Sequence, residues 1–67
     1  MKPKFKRLCI YPNDIQIISG KSYRQSLRLI KKIKRHYNKS NEAFLTIQEF
    51  CDYTQISYRD VTQQLQN

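Results

Sequence analysis

The sequence predicts an all-α domain of four to five short helices, arranged as two helix–turn–helix units, with room for a short extended segment at the N-terminus. Three observations predict it. Ser or Thr stands three residues ahead of Gln, Glu or Asp at Ser22/Gln25, Thr46/Glu49 and Ser57/Asp60, the spacing at which side chain and backbone close the first turn of a helix on each other. From 23 to 37 there is no Gly or Pro, and Ser26, Leu29, Ile30, Ile33 and Tyr37 fall in one sector when residues are placed at a helical angle. The one glycine, Gly20, lies between two apolar-periodic stretches, where a left-handed cap ends a helix without a Cβ penalty.

Taken in order, residues 1–11 read as a basic arm that runs into an extended segment over 5–10. Pro12 suits the first position of a helix, where its missing N–H costs nothing, and Asp14 favours the same first turn. Gly20 closes that helix and Ser22 opens the next, so residues 12–37 form the first unit. On its second helix Arg24, Arg28, Lys31 and Arg35 follow one another at i, i+4, i+7 and i+11, opposite the apolar sector. Residues 38–43 are a polar loop. Phe44 and Leu45 are the apolar lead-in to the second unit, 44–67, with a short helix over 47–54 and a final helix over 58–66. Phe44, Phe50 and Tyr53 are expected in the core and His36 at a solvated helix end. Tyr23 and Tyr58 suit either the edge of the core or a contact surface.

The two units echo each other at a spacing of 35 residues, with Ser22-Tyr23-Arg24 meeting Ser57-Tyr58-Arg59 in full identity. Asp14 meets Glu49 in the same comparison, Ile15 meets Phe50, and Ile30 meets Leu65. Both halves therefore encode a short helix, a brief turn and a second helix that begins at Ser.

Sixty-seven residues make one domain near the lower size limit for independent folding. That leaves little material for the walls of a catalytic cleft. No nucleophile stands with a base, no carboxylates are paired and no phosphate-cradling loop is present, so no enzymatic activity is expected. Cys9 and Cys51 belong to no paired motif and His36 is the single histidine, which falls short of a metal site; both thiols are expected buried and reduced. No cofactor, small-molecule ligand or membrane association is expected. The apolar run after the basic start stops at Pro12, too short for a signal core, and the expected location is the cytoplasm.

Charge is the informative part of the composition. Net charge is +8 overall, yet residues 1–39 carry twelve Lys or Arg against Asp14 alone, a net +11, while residues 40–67 carry Arg59 against four acids, a net −3. A domain polarised in this way offers one face to a polyanion and another to something else.

Residues 45–61, from Leu45 through Thr46, Cys51, Ile56 and Ser57 to Val61, resemble the helix–turn–helix of the excisionase and MerR-type families. The pattern there is a Thr-led short helix, a small residue at the Cys51 position, a turn glycine, an apolar residue and then Ser. Gln55 stands where that glycine is usual; the first unit keeps the glycine as Gly20 but has Gln16 and Lys21 at the small and apolar positions. The chain also resembles small helix–turn–helix proteins carried on bacterial mobile elements. The resemblance implies duplex DNA as partner, and transcriptional regulation or an accessory role in recombination as function.

In such a unit the second helix enters the major groove. Arg24 and Arg28 are the candidates for base contacts, because a planar guanidinium pairs bidentately with guanine O6 and N7. Lys21, Ser22, Tyr23 and Gln25 can add contacts at the helix start. Lys31, Lys32, Lys34 and Arg35 suit phosphates, and so do Lys2, Lys4, Lys6 and Arg7 of the arm. A Lys/Arg stripe is commonly just a solvated face. Here it lacks interleaved acids and lies on the helix that the turn marks as the reader. Arg59, set among Glu49 and Asp60, reads as a surface residue or an ion-pair partner. The alternative to DNA binding is a non-catalytic protein-interaction module, either with an acidic partner or as a homodimer in which Leu27 takes part. RNA binding would share the charge argument but lacks an exposed aromatic platform.

Overall fold

In a computed structural model the described residues are 8–65. The arm residues Lys2, Lys4, Lys6 and Arg7, and Gln66, to which the last helix is expected to run, lie outside them.

Helix α1 (Pro12–Ser19) starts on proline, and the Tyr11 N–H donates to Asp14 Oδ2 at 2.8 Å. It stops at Gly20, whose φ of 78° is left-handed and whose N–H donates to the Gln16 carbonyl at 2.9 Å. Helix α2 (Tyr23–His36) has the reciprocal cap expected of Ser22 and Gln25: Ser22 Oγ accepts from the Gln25 N–H at 3.1 Å, and Gln25 Oε1 accepts from the Ser22 N–H at 3.0 Å. It ends at His36 with Tyr37 as its cap, after which Asn38 takes a φ of 61° and the Lys39 N–H donates back to the Lys34 carbonyl at 2.8 Å, satisfying a carbonyl the helix leaves open. Helix α3 (Ile47–Thr54) is capped by Thr46 and Glu49 in the same reciprocal way. Helix α4 (Tyr58–Leu65) begins where Ser57 Oγ accepts from the Asp60 N–H at 3.1 Å.

The extended lead-ins of the two units meet. Cys9 bridges Thr46 in antiparallel sense; the Ile10 N–H donates to the Leu45 carbonyl at 2.9 Å and the Ile47 N–H to the Leu8 carbonyl at 2.8 Å. Neighbouring residues of an extended chain point to opposite faces, so Leu45 goes into the core while Phe44 is 65% exposed; on the other lead-in Ile10 is buried and Leu8 is 71% exposed. Phe44 is therefore not a core residue. Phe50 is, together with Ile15, Ile30, Ile33, Ile47, Cys51 and Val61, and Tyr53 packs partly buried against them. Tyr23 and Tyr58 both lie outside the core. Helix α1 packs on α2 and α4, and α3 on those same two, which closes a ring of four helices.

The 35-residue echo is structural. Helices α1 and α3 begin and end at corresponding residues. Gly20 and Gln55 take corresponding left-handed caps, and the Ser19 and Thr54 hydroxyls each donate to the carbonyl four residues back. Ile10 and Leu45, related by the same spacing, face each other across the antiparallel pair. Contacts α1–α2 and α3–α4 correspond, as do α1–α4 and α3–α2. This is the pattern of an internal two-fold.

Gln55 performs the glycine's task with a side chain present, at a φ of 67°. An L-residue there is strained by roughly 1–2 kcal/mol. Gln55→Gly should relieve the strain, offset in part by a more flexible unfolded chain. The expected net gain is about 0.5–1 kcal/mol, a rise in Tm of roughly 2–8 °C on a thermal melt. A lower Tm would mean that the bond from Gln55 Nε2 to the Asp52 carbonyl, 3.1 Å, outweighs the strain.

Candidate nucleic-acid interface

Helix α2 carries six Lys or Arg in 14 residues and no acid. Its buried side holds Ser26, Ile30 and Ile33, which fixes the direction of the rest. Arg24, Arg28, Lys31, Lys32 and Arg35 are all exposed, and among the described residues none of them is paired with an acidic side chain. An uncompensated run of cations of this kind leaves its field directed at solvent.

The helix is not uniform around its girth. Lys21, Gln25, Arg28 and Lys32 surround a shallow hollow of about 260 Å³ whose apolar wall is Leu29. Another hollow, of about 300 Å³, lies toward the C-terminal end, among Lys31, Lys34, Arg35, Lys39 and Asn41. Arg24 stands on the crest, with Tyr23 exposed beside it at the helix start. The structure thus brings Lys21, Gln25, Arg28 and Lys32 together on one flank and Lys31 with Arg35 on the other. Ser22 and part of Gln25 are committed to the helix cap; the Gln25 Nε2 amide is the donor that the cap does not use.

Two lysines near the stripe are structural. Lys34 is half-buried and its Nζ donates to the Asn41 carbonyl at 3.0 Å. Lys39 Nζ donates to the Phe44 carbonyl at 3.0 Å and pairs with Glu49 Oε1 at 3.2 Å. Lys39 thereby ties the 38–43 loop to the start of α3. No local spacing announces that contact, which joins residues ten apart through a loop. It also gives Glu49 a partner other than Arg59.

Burial alone would raise the Glu49 pKa; the Thr46 backbone N–H, Lys39 and the Thr46 hydroxyl together hold it below the usual carboxylate value. A carboxylate lowered on folding stabilises the fold above its unfolded pKa, and that contribution disappears as pH falls through the lower folded value. Glu49→Gln should therefore lower Tm at pH 7. Its difference from the unsubstituted protein should shrink in melts taken below about pH 4. A difference independent of pH would show that the cap geometry, not the charge, is what matters.

Elsewhere the chemistry is quiet. The Cys51 thiol is pushed up, first by burial and then by the charge of Asp52, so it stays protonated and unreactive. His36 meets the rings of Tyr37 and Tyr53 edge-on at 4.8 and 5.2 Å, a packing contact added to its position at the helix end. Among the described residues no group of three His, Cys, Asp or Glu could hold a metal ion, and no helix is long and apolar enough to cross a membrane. On the flank of α2 that carries Leu27, an apolar hollow of about 280 Å³ is lined by Tyr11, Pro12, Leu27, Ala43 and Phe44, among others, with Lys34 and Glu42 also on its wall. Comparison with protein-family models, with curated proteins and with solved structures finds no match.

Proposed function

We propose that this chain binds duplex DNA through α2, as a small helix–turn–helix regulator or an excisionase-like accessory factor. The observation that carries the reading is the exposed, acid-free stripe Arg24–Arg28–Lys31–Arg35 on the helix that follows the left-handed turn at Gly20. Arg24 and Arg28 near the helix start are the base readers; Lys31, Lys32 and Arg35 further along hold phosphates. The resemblance of the second unit to excisionase and MerR-type motifs supports the same class of partner. Cytoplasmic DNA would be the setting.

Binding of this kind releases counterions. The logarithm of affinity should fall linearly with the logarithm of salt concentration, by about 0.9 for each phosphate neutralised. With four to six cations engaged the expected slope is roughly −4 to −5, read by fluorescence anisotropy on a labelled duplex between low and physiological salt. A flat response, or no binding at low salt, would reject the reading.

The second reading, a protein-interaction module or homodimer, is favoured by the apolar hollow around Leu27 and Phe44. Heparin and unrelated duplex DNA compete with a DNA site; they would leave a complex formed through that hollow in place.

A further inference from the structure

Three large apolar side chains that the fold leaves at the surface gather at one place. Tyr11 (46% exposed) just before α1, Leu27 (36%) on α2 and Phe44 (65%) after the 38–43 loop wall the apolar hollow of about 280 Å³. Apolar groups brought together from three segments, rather than scattered singly, mark a contact surface. The same wall carries one cation and one anion, Lys34 and Glu42. Among the described residues Glu42 has no ion pair. Lys34 Nζ donates to the Asn41 carbonyl, and an ammonium has further protons to give a second acceptor.

We infer that the hollow is the contact between two copies of this chain, seated face to face about a two-fold axis. Charge selects the occupant. A strongly acidic partner would be drawn to the stripe of α2, and a chain of net charge +8 repels a basic one. The hollow itself is balanced, one Lys against one Glu, and suits a surface of its own kind. A two-fold contact presents the same patch from both sides, so that what one copy offers the other receives. Apolar walls then cover each other, and the Glu42 of each copy meets the Lys34 of the other. Such a contact also enlarges a core that is small for a chain folding alone. Arg24, Arg28, Lys31, Lys32 and Arg35 are not among the lining residues, so filling the hollow uses none of them. The inference goes beyond the reading of α2 as a DNA-binding helix and does not rest on it.

Sedimentation velocity on the full chain, without DNA, tests it over a concentration series up to about 1 mM, because a small contact is weak. The parent should pass from monomer to dimer across the series. It should still do so in about 0.5 M salt, which screens the repulsion between two cationic chains and leaves apolar burial intact. Phe44→Ser removes a side chain that lies outside the core; it should melt within a few degrees of the parent and dimerise at least about ten-fold more weakly. Charge reversal fixes the register. Each reversal shifts the net charge of +8 by two, up to +10 for Glu42→Lys and down to +6 for Lys34→Glu. General repulsion would move these two variants in opposite directions. Across a two-fold contact both should weaken, by at least about three-fold, since like charges then face each other. An equal mixture of the two should recover to within about two-fold of the parent, because opposite charges face at both positions. Where Lys34→Glu loses the fold along with its Asn41 contact, Phe44→Ser decides alone. A parent that stays monomeric overturns the inference and leaves the hollow to a different chain. A Phe44→Ser variant that dimerises like the parent, as a dimer of exchanged halves would, overturns it too, and so does a mixture no stronger than the reversed variants alone. None of these outcomes bears on the DNA reading, which stands or falls on its own titration.

Discussion

Arg24→Ala/Arg28→Ala should lose duplex binding by about a hundred-fold or more at near-physiological salt. Each guanidinium that pairs bidentately with a guanine contributes roughly 1–3 kcal/mol of discrimination. Each is also one of the cations whose counterions are released on binding. Both side chains are exposed and unpaired with acids, so the variant should fold and melt like the parent, and circular dichroism provides that control. Lys31→Ala is the informative contrast. As a phosphate contact it should weaken all sequences alike and reduce the salt slope by about one unit. A double variant that bound as tightly as the parent would show that the stripe is a solvated face, and attention would move to the apolar hollow beside Leu27.

Phe50→Ala should leave the chain largely unfolded at room temperature. Phe50 is 1% exposed and belongs to the one core that the four helices share. Truncating a buried phenylalanine costs about 3–5 kcal/mol, and a core of this size rarely supplies more than about that in total. The expected result is loss of the cooperative thermal transition and of amide dispersion. Phe50→Leu, which keeps more of the volume, should still fold with a lower Tm. A Phe50→Ala variant melting within a few degrees of the parent would mean that the core lies elsewhere.

Most of the helix ends were legible because each is written in local chemistry. Ser22 with Gln25, and Thr46 with Glu49, form the reciprocal caps their spacing implies, and Pro12 and Gly20 bracket α1 as their backbone preferences require. Gln55 was harder to foresee. A left-handed cap at a residue with a Cβ carries a strain that the surrounding fold must impose, and propensity gives no warning of it. Phe44 misled for a different reason. Its hydrophobicity pointed inward, but in an extended lead-in only one of two neighbouring residues can face the core, and Leu45 takes that place. For the interface, a helical period was enough to gather Arg24, Arg28, Lys31 and Arg35 on one side. It could not separate Lys34 and Lys39, which brace the loop, from the cations that remain directed at solvent. Those distinctions depend on contacts across the fold, outside the reach of a periodicity argument.

The ring of helix contacts has a consequence for how the molecule can be divided. Helix α2 is finished by α3 as well as α1, and α4 by α1 as well as α3, so neither helix pair owns an interior. The 38–43 loop then works chiefly as a tether, holding two incomplete halves at a high effective concentration for one another. Severed there, the halves would be fragments that fold only by finding each other, and the same geometry would accept a half from a second copy of the chain. Exchange of halves between molecules is the dimer this architecture makes easiest to reach.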